Sequence, residues 1–342
     1  MFKIRDLIIV FFFINACTTQ NYDFSSNEKI ISGVKLDVGC MIGMPNELIY
    51  LNPLLIFCDR YGNQCITVYD TEKKQFVRRF LSIGQGPGEV LHSLRLFASP
   101  TDKKISVFQT NAAYLNIYDI DEVIEKSDIP YPEQIFFEDG PPVIKKVTNG
   151  YIGIGPFEGG RFRMYDDTGR NLYDFGKYPF RGEEMYPAGR FFVYQGFIST
   201  SIDGSYFAIG TSYSDNLEFY RLVDGKAELI KRYESRDAKA IFYGNSMRID
   251  DDCIMNYKAA FGGNYCYMLY SGKPYLDNGK RRTVGGKKII VFDWDGNYIK
   301  SYKAEVEILS FCVDEVNNII YASFIDDDDE TGGGYNIMQF NL

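Results

Sequence analysis

Histidine and tryptophan are almost absent from this sequence, which has one of each in 342 residues. Metal sites built from several histidines are therefore excluded, and so are nucleophilic triads in which histidine acts as the base. The one histidine, His92, is interpreted as a structural or solvent-exposed residue. Carboxylates remain the main candidates for any acid–base catalysis.

The apolar run near the N-terminus is too short to cross a bilayer, because it covers only residues 7–14 and a spanning helix needs about 20 residues. Lys3 and Arg5 precede this run, and Ala16 and Cys17 follow it. Charged, apolar and small residues in that order are typical of a secretory signal peptide. We therefore predict that residues 1–16 are a leader and that the rest of the chain is exported.

The residues Ile14-Asn15-Ala16-Cys17 resemble the lipobox of bacterial lipoproteins, in which the cysteine is acylated. The resemblance implies a membrane anchor through lipid on Cys17, and two acyl chains suffice for stable anchoring. In that family, Thr18 after the cysteine favours the outer membrane, on its periplasmic side or at the cell surface. The polar residues 17–28 are interpreted as a flexible tether.

Basic residues are outnumbered, since Lys plus Arg is 37 and Asp plus Glu is 46, which gives a net charge of −9. An acidic domain repels the phosphate backbone of nucleic acids. No stretch of the sequence interleaves basic residues with aromatic ones. Nucleic acid is therefore not an expected partner.

Cysteine pairs of the metal-binding C-x-x-C type are also lacking among the six cysteines after Cys17. Cys58 and Cys65 would lie opposite each other if residues 61–62 formed a two-residue hairpin loop. Two interpretations stay open for this pair, a disulfide or two small buried side chains, and the second is favoured.

Tyrosine and phenylalanine are abundant, with 27 of each, and a short strand motif recurs through the chain. Its six copies begin at residues 66, 115, 162, 217, 289 and 336 and read ITVYD, LNIYD, FRMYD, LEFYR, IIVFD and NIMQF. A second strand precedes each copy, and further strands flank most of the pairs. Four strands in roughly 50 residues are typical of a propeller blade. We therefore predict an all-β fold, a six-bladed β-propeller over residues 29–342.

A spare strand at residues 29–38 precedes the first blade, whereas the chain ends at Leu342 after the third strand of the sixth blade. We expect this N-terminal strand to pair in the last blade as its outer strand and so to close the ring. Pairing there would remove two exposed strand edges.

The turn before the second blade contains Gly84, Gly86, Pro87, Gly88 and Glu89 in the order G-x-G-P-G-E. Glycines permit a sharp turn between blades. With the strand pattern, this turn resembles the TolB-like six-bladed propeller lipoproteins of Bacteroidetes-type bacteria, which have NHL-like repeats. The resemblance implies a fold and a compartment far more than an activity.

Two longer segments are predicted on one face of the ring, where loops carry function. One is the connection at residues 180–190, and the other is a loop expected over residues 259–287 of the fifth blade. Their aromatic and guanidinium groups suit a sugar-like or anionic ligand, and a lid packed on its neighbours is an equal alternative for the second. The candidate binding residues are Arg181, Glu183, Glu184, Tyr186, Arg190, Tyr265, Tyr267, Tyr270, Arg281 and Arg282.

The preferred function is a lipid-anchored extracytoplasmic module or scaffold that binds a protein or a small molecule such as a glycan, without catalysis. The alternative is a carboxylate-based hydrolase, such as a Ca²⁺-dependent lactonase-like enzyme. The acidic residues 326–330 are candidate ligands for Ca²⁺, although a solvated acidic loop is the favoured interpretation. No catalytic residue is assigned, and no cofactor other than Ca²⁺ is considered.

Overall fold

The computed structural model describes residues 22–59, 63–86, 88–91, 94–99, 102–243, 246–277, 280–281, 285–326 and 334–342. The side chains of Ser99, Asp277, Lys280 and Arg281 are not described. Several residues discussed above lie outside the described residues, namely Cys17, Pro87, His92, Arg282 and residues 327–330.

Two short strands open the described chain, β1 (Glu28–Ile31) and β2 (Gly33–Lys35). Four antiparallel sheets of four strands, here called blades one to four, follow them in sequence. Blade one contains β3 (Pro45–Leu51), β4 (Leu54–Asp59), β5 (Gln64–Asp70) and β6 (Gln75–Ser82). Blade two contains β7 (Leu94–Ser99), β8 (Lys104–Gln109), β9 (Tyr114–Asp119) and β10 (Glu133–Phe136). Blade three contains β11 (Val143–Val147), β12 (Gly150–Ile154), β13 (Phe162–Tyr165) and β14 (Asn171–Phe175). Blade four contains β15 (Gly196–Thr200), β16 (Tyr206–Thr211), β17 (Asn216–Val223) and β18 (Lys226–Glu234).

The last two blades share one long strand. A hairpin of β19 (Ala240–Tyr243) and β20 (Ser246–Ile249) precedes them. Blade five contains β21 (Ile254–Gly262), β22 (Cys266–Pro274), β25 (Gly286–Phe292) and the first half of β26 (Tyr298–Asp314), with the small hairpin β23 (Leu276–Asp277) and β24 (Lys280–Arg281) between β22 and β25. Blade six contains the second half of β26, β27 (Ile319–Asp326) and β28 (Gly334–Asn341).

Helical structure is limited to short segments between strands. Helix α1 (Ile120–Glu125) follows β9, and the Asp119 side chain caps it by accepting a hydrogen bond from the Glu122 amide. A 3-10 helix (Gly182–Glu184) and α2 (Pro187–Val193) lie between blades three and four. Within the described residues, no helix is both long and apolar enough to cross a membrane.

The core is divided among the contacts between neighbouring blades. Because side chains alternate along a strand, Ile56 of β4 packs towards blade two while Phe57 packs towards blade six. Phe57 shares its cluster with Cys312 and Ile337 of blade six, so the last blade packs on the first. Similar clusters join all the other neighbours. The prediction of an all-β, six-bladed propeller is confirmed.

The N-terminal segment differs from the single outer strand expected at residues 29–38. Strand β2 lies antiparallel to β28 of blade six, whereas β1 lies parallel to β26 on the outside of blade five. The segment therefore contacts two blades. Residues 22–28, which we expected to be flexible, are packed as well: the Phe24 ring lies 5.4 Å from Tyr233 and 5.2 Å from Phe292, between ring centroids.

The prediction of a long loop over residues 259–287 is wrong. Strands occupy most of that range: the end of β21 and all of β22, joined by a tight turn, fill its first half, so that residues 275–285 alone connect β22 to β25. Residues 253–258, expected to form the second strand of blade five, overlap its innermost strand, β21. The additional chain length lies instead in the connection at residues 235–253, which contains β19 and β20.

The two cysteines of the first blade do not face each other across the hairpin. Cys58 pairs in register with Ile66, and Cys65 stands one residue before it. Both are buried thiols, and the Cys65 thiol lies 3.1 Å from the Leu81 carbonyl oxygen. The favoured interpretation, two small buried side chains, matches this arrangement.

Candidate functional site

A central channel runs between the innermost strands of the blades. Its volume is about 1100 Å³, and every blade contributes to its wall through β3, β7, β11, β15, β21 and β26. The connections between blades and the loops from second to third strands lie on one side of the ring, here called the upper face. Phe191, Gln195, Ser212 and Tyr213 line the channel from that side.

Besides Lys146 at the lower rim, four charged side chains of the inner strands line this wall: Glu47, Arg95, Lys145 and Lys258. On blades one and two, Arg95 donates to Glu47 with 2.7 Å between Nη1 and Oε1. On blade three, the Lys145 ammonium lies 5.4 Å from the centroid of the Phe97 ring. On blade five, Lys258 has no ion pair or hydrogen bond with any residue that the structure describes.

Burial affects the ionisation of both lysines. Burial lowers the pKa of Lys258 to about 8, and no charged neighbour contributes. Burial also lowers the pKa of Lys145, with a smaller opposing effect from Glu47 and a reinforcing one from Arg95. Both residues line the channel and are partly exposed.

The lower rim of the channel carries charges of both signs. Lys104 lies 3.7 Å from Glu133, and Lys146 pairs with Asp167. Two further carboxylates, Asp102 and Asp203, line this end. The rim is therefore more acidic than the middle of the channel.

A second feature of the upper face is a platform made by two long connections, residues 176–195 and 235–253. Its surface presents aromatic side chains to solvent: Tyr243 is 60% exposed, Phe242 41%, Tyr186 40% and Phe180 37%. Beneath them, apolar side chains from both connections pack into one cluster that includes Val193, Ala238 and Ile249.

Polar contacts fix the platform as well. The Arg181 guanidinium lies 3.2 Å from Asp237 and 5.6 Å from the centroid of the Phe242 ring. The Tyr194 hydroxyl donates to Asp237 over 2.7 Å. Burial and this carboxylate together raise the pKa of Tyr194. The two connections are thus held to each other by ion pairing and packing.

The candidate binding residues in the connection from blade three to blade four do not all lie in the platform surface. Arg181 and Tyr186 belong to the platform, and Glu183 and Glu184 are exposed in the 3-10 helix beside it. Arg190 instead supports the structure from within, because its guanidinium donates to the carbonyl oxygens of Phe157 and Glu158 at 3.1 and 3.2 Å.

The residues predicted in blade five are not brought to the platform. Tyr265 lies in the turn between β21 and β22 on the lower side. Tyr267 is buried and its hydroxyl lies 3.1 Å from Glu315, while Tyr270 packs 5.8 Å from the Tyr257 ring. The Arg281 side chain and all of Arg282 lie outside the described residues.

The acidic residues considered for Ca²⁺ are only partly described. Asp326 ends β27 and lies 3.2 Å from Lys35, and residues 327–330 are not described. Within the described ranges, no three side chains of His, Cys, Asp or Glu gather as a metal site requires.

The glycine-rich turn before blade two encloses its own carboxylate. Glu89 accepts a hydrogen bond from the Gly86 amide over 2.7 Å, and a side chain at Gly84 would collide with that carboxylate at 1.9 Å. Gly88 has a φ of 77°, which favours glycine. The turn is therefore a structural link between blades.

Sequence reasoning missed Phe242, Tyr243, Lys145 and Lys258. The aromatic pair at residues 242–243 follows a polar stretch and precedes Gly244 and Asn245, a turn signal that could have revealed a hairpin. The lysines stand in strands, and their shared position at the channel follows only from the order of the blades.

Comparison with known proteins agrees with this architecture. A family model described as TolB-like 6-blade propeller-like matches residues 23–316. A member of the DUF4221 family from Bacteroides vulgatus superposes with a TM-score of 0.58 at 12% identity, covering 92% of this chain and 96% of that chain. The structure of U3-55K superposes with a TM-score of 0.50 at 7% identity, covering 91% and 98%. These two structures are similar in fold alone, and no curated protein matches the sequence. The family match spans most of the chain, which therefore belongs to the TolB-like six-bladed propeller family.

Proposed function

We propose that this chain is an exported lipoprotein, anchored to the outer membrane through Cys17, whose propeller holds a protein partner on the upper platform. The observation that carries the proposal is the exposed aromatic surface beside Arg181. Aromatic side chains and arginine are enriched at the centres of protein interfaces, where they contribute most of the binding energy.

The platform is suited to binding because its base is rigid. Its apolar underside is buried, and the Arg181–Asp237 contact ties one connection to the other. A surface that is already ordered loses little conformational entropy when a partner binds.

A protein partner fits this surface better than a glycan or another small molecule. Small molecules favour concave pockets that cover most of their surface. A cleft beside the platform measures about 270 Å³ and lies between Phe192, Met247 and Tyr275. None of the four exposed rings is among the residues that line this cleft.

The test is affinity purification of the full-length protein from its own membranes. A platform variant, R181A/F242A/Y243A, is compared with wild type and with Y131A, which removes a tyrosine that is 97% exposed on another blade. We expect wild type and Y131A to retain the same protein and the platform variant to lose it. Equal recovery with all of them would contradict the platform as the binding surface.

The anchor is tested separately. C17S is expected to shift the protein from the membrane fraction to the soluble fraction, because a single substitution removes the acylated residue. Mass spectrometry of the N-terminal peptide then reports the lipid directly. Unchanged fractionation with an unmodified Cys17 would contradict anchoring.

A further inference from the structure

The middle of the channel has an excess of positive charge although the whole chain has a net charge of −9. Three cationic side chains, Arg95, Lys145 and Lys258, line it on the inner strands with one carboxylate, Glu47. Because Arg95 already pairs with Glu47, the two lysines represent the excess.

The Lys258 ammonium is the least compensated of these groups. It lacks an ion pair or hydrogen bond within the described part of the chain, and the group itself is largely buried. Removing a cation from bulk water without a partner costs free energy. An anion in the channel would supply the missing partner and recover that cost.

Lys145 and Lys258 face the same space from two walls. They belong to blades three and five, which flank blade four, and the inner strand of blade four carries no charge in Gly196–Thr200. Thr200 and Ser310, which carry hydroxyl groups, line the same space, whereas the Ser199 hydroxyl lies 3.1 Å from the buried Cys266 thiol. Cations with neighbouring hydroxyls provide hydrogen-bond donors for an oxyanion.

The two ends of the channel differ in the charge of the residues that line them. The upper mouth is lined by the uncharged side chains Phe191, Gln195, Ser212 and Tyr213. Among the described residues, the lower rim holds the carboxylates of Asp102, Glu133, Asp167 and Asp203 together with the cations of Lys104 and Lys146. An anion therefore meets less repulsion at the upper mouth.

We propose that the channel is a binding site for a small organic anion, a molecule with a carboxylate or phosphate group, which enters from the upper face and binds to Lys258 and Lys145. The volume of about 1100 Å³ accommodates such a molecule together with water. This site differs from the exposed aromatic surface of the platform. The two are neighbours, because Phe191 and Gln195 of the connection at residues 176–195 also line the upper mouth of the channel.

The test is isothermal titration calorimetry of the whole propeller with citrate and with glucose 6-phosphate, using glucose as the uncharged match. We expect at least one of the two anions to bind and glucose not to bind. K258M is expected to weaken anion binding by about 10-fold or more and K145M to weaken it as well, whereas K258R retains binding. K226M is the matched control, because Lys226 is exposed at a hairpin of blade four.

The proposal is overturned if neither anion binds, or if K258M and K226M bind the anions equally. Melting curves of each variant show that the fold persists. The platform variant R181A/F242A/Y243A should bind the anions like wild type, so loss of the partner and loss of the anion report on different sites.

Discussion

The guanidinium of Arg161 and the carboxylate of Glu218 form an ion pair in which both side chains are 0% exposed. Arg161 precedes β13 of blade three, and Glu218 lies in β17 of blade four. The other acceptors of Arg161 among the described residues are neutral, namely the Asn216 side chain at 3.2 Å and the Tyr194 carbonyl at 3.3 Å. Glu218 has a second cation, Arg232, at 2.5 Å. The pair thus joins two blades inside the protein, and its members are unequally compensated.

We predict that E218Q destabilises the fold more than R161M does. E218Q leaves the buried Arg161 without a counter-charge, which costs about 3–5 kcal/mol. In R161M the carboxylate keeps Arg232, so about 1–3 kcal/mol is expected. Urea unfolding of both variants measures the difference, and equal losses would contradict this asymmetry.

The matched control for that pair is R170M. Arg170 and Asp166 form an ion pair at 3.1 Å, but the Arg170 side chain is 74% exposed. Exposed pairs contribute about 0–1 kcal/mol, so the urea midpoint of R170M should stay close to that of wild type.

Lys258 should make stability depend on pH in a specific window. Its pKa is lowered to about 8, below the value of about 10.4 in an unfolded chain. Between these values the native state binds fewer protons than the unfolded state, so the free energy of unfolding contributed by Lys258 rises with pH. K258M should therefore be more stable than wild type near neutral pH, by about 1–3 kcal/mol. The difference in free energy of unfolding between K258M and wild type should become smaller by about pH 10. A difference that stays constant with pH in urea unfolding would contradict a lowered pKa of Lys258.

The buried thiols should resist alkylation. Burial raises the pKa of Cys65 and of Cys266 to about 12, which leaves almost no thiolate near neutral pH. Cys40 is partly exposed, and although burial raises its pKa too, Arg79 opposes that effect. Iodoacetamide should label Cys40 in the native protein and label Cys65 and Cys266 only in denaturant, as read by peptide mass spectrometry. Early labelling of Cys65 would contradict its burial.

Phe24 should hold the N-terminal segment on the propeller. Its ring contacts Tyr233 and Phe292, and its carbonyl accepts a hydrogen bond from the Ser301 hydroxyl over 2.9 Å. F24A is expected to cost about 1–2 kcal/mol, less than a fully buried Phe→Ala change. Hydrogen exchange at the Ser301 amide, which bonds to Asn27, should accelerate. I30A, at a side chain that is 76% exposed, serves as the control and should leave exchange unchanged.

The sequence predicts blades one to four well because each has the same spacing of short apolar strands. The strand order of blade five does not follow from the sequence for a physical reason: β21 and β22 are both mostly apolar and nine residues long, and the turn between them contains Gly263 and Asn264. Hydrophobic pattern does not distinguish an inner strand from a second strand. The sequence pattern therefore does not decide whether the additional residues of this region lie before blade five, at residues 235–253, or between its second and third strands.

The candidate site was less predictable than the fold. Arg181 and Tyr186 were identified because they lie in a long connection, but their neighbour Phe242 is 61 residues from Arg181 in sequence. Lys145 and Lys258 are 113 residues apart, and each reads as an ordinary strand residue. Only the order of the blades around the channel places them on two walls of the same space, one on each side of blade four.

The packing of Phe24 on blades four and five has a consequence for geometry at the membrane. Cys17 is five positions from Tyr22 in sequence, and the Tyr22 ring also packs on Tyr233 at 4.7 Å. A chain of that length spans at most about 18 Å, so a lipid on Cys17 would keep this sector of the ring next to the bilayer. The platform is built by the connections into and out of blade four, in the same sector. A partner that is itself a membrane protein would thus meet the platform by lateral diffusion at high effective concentration.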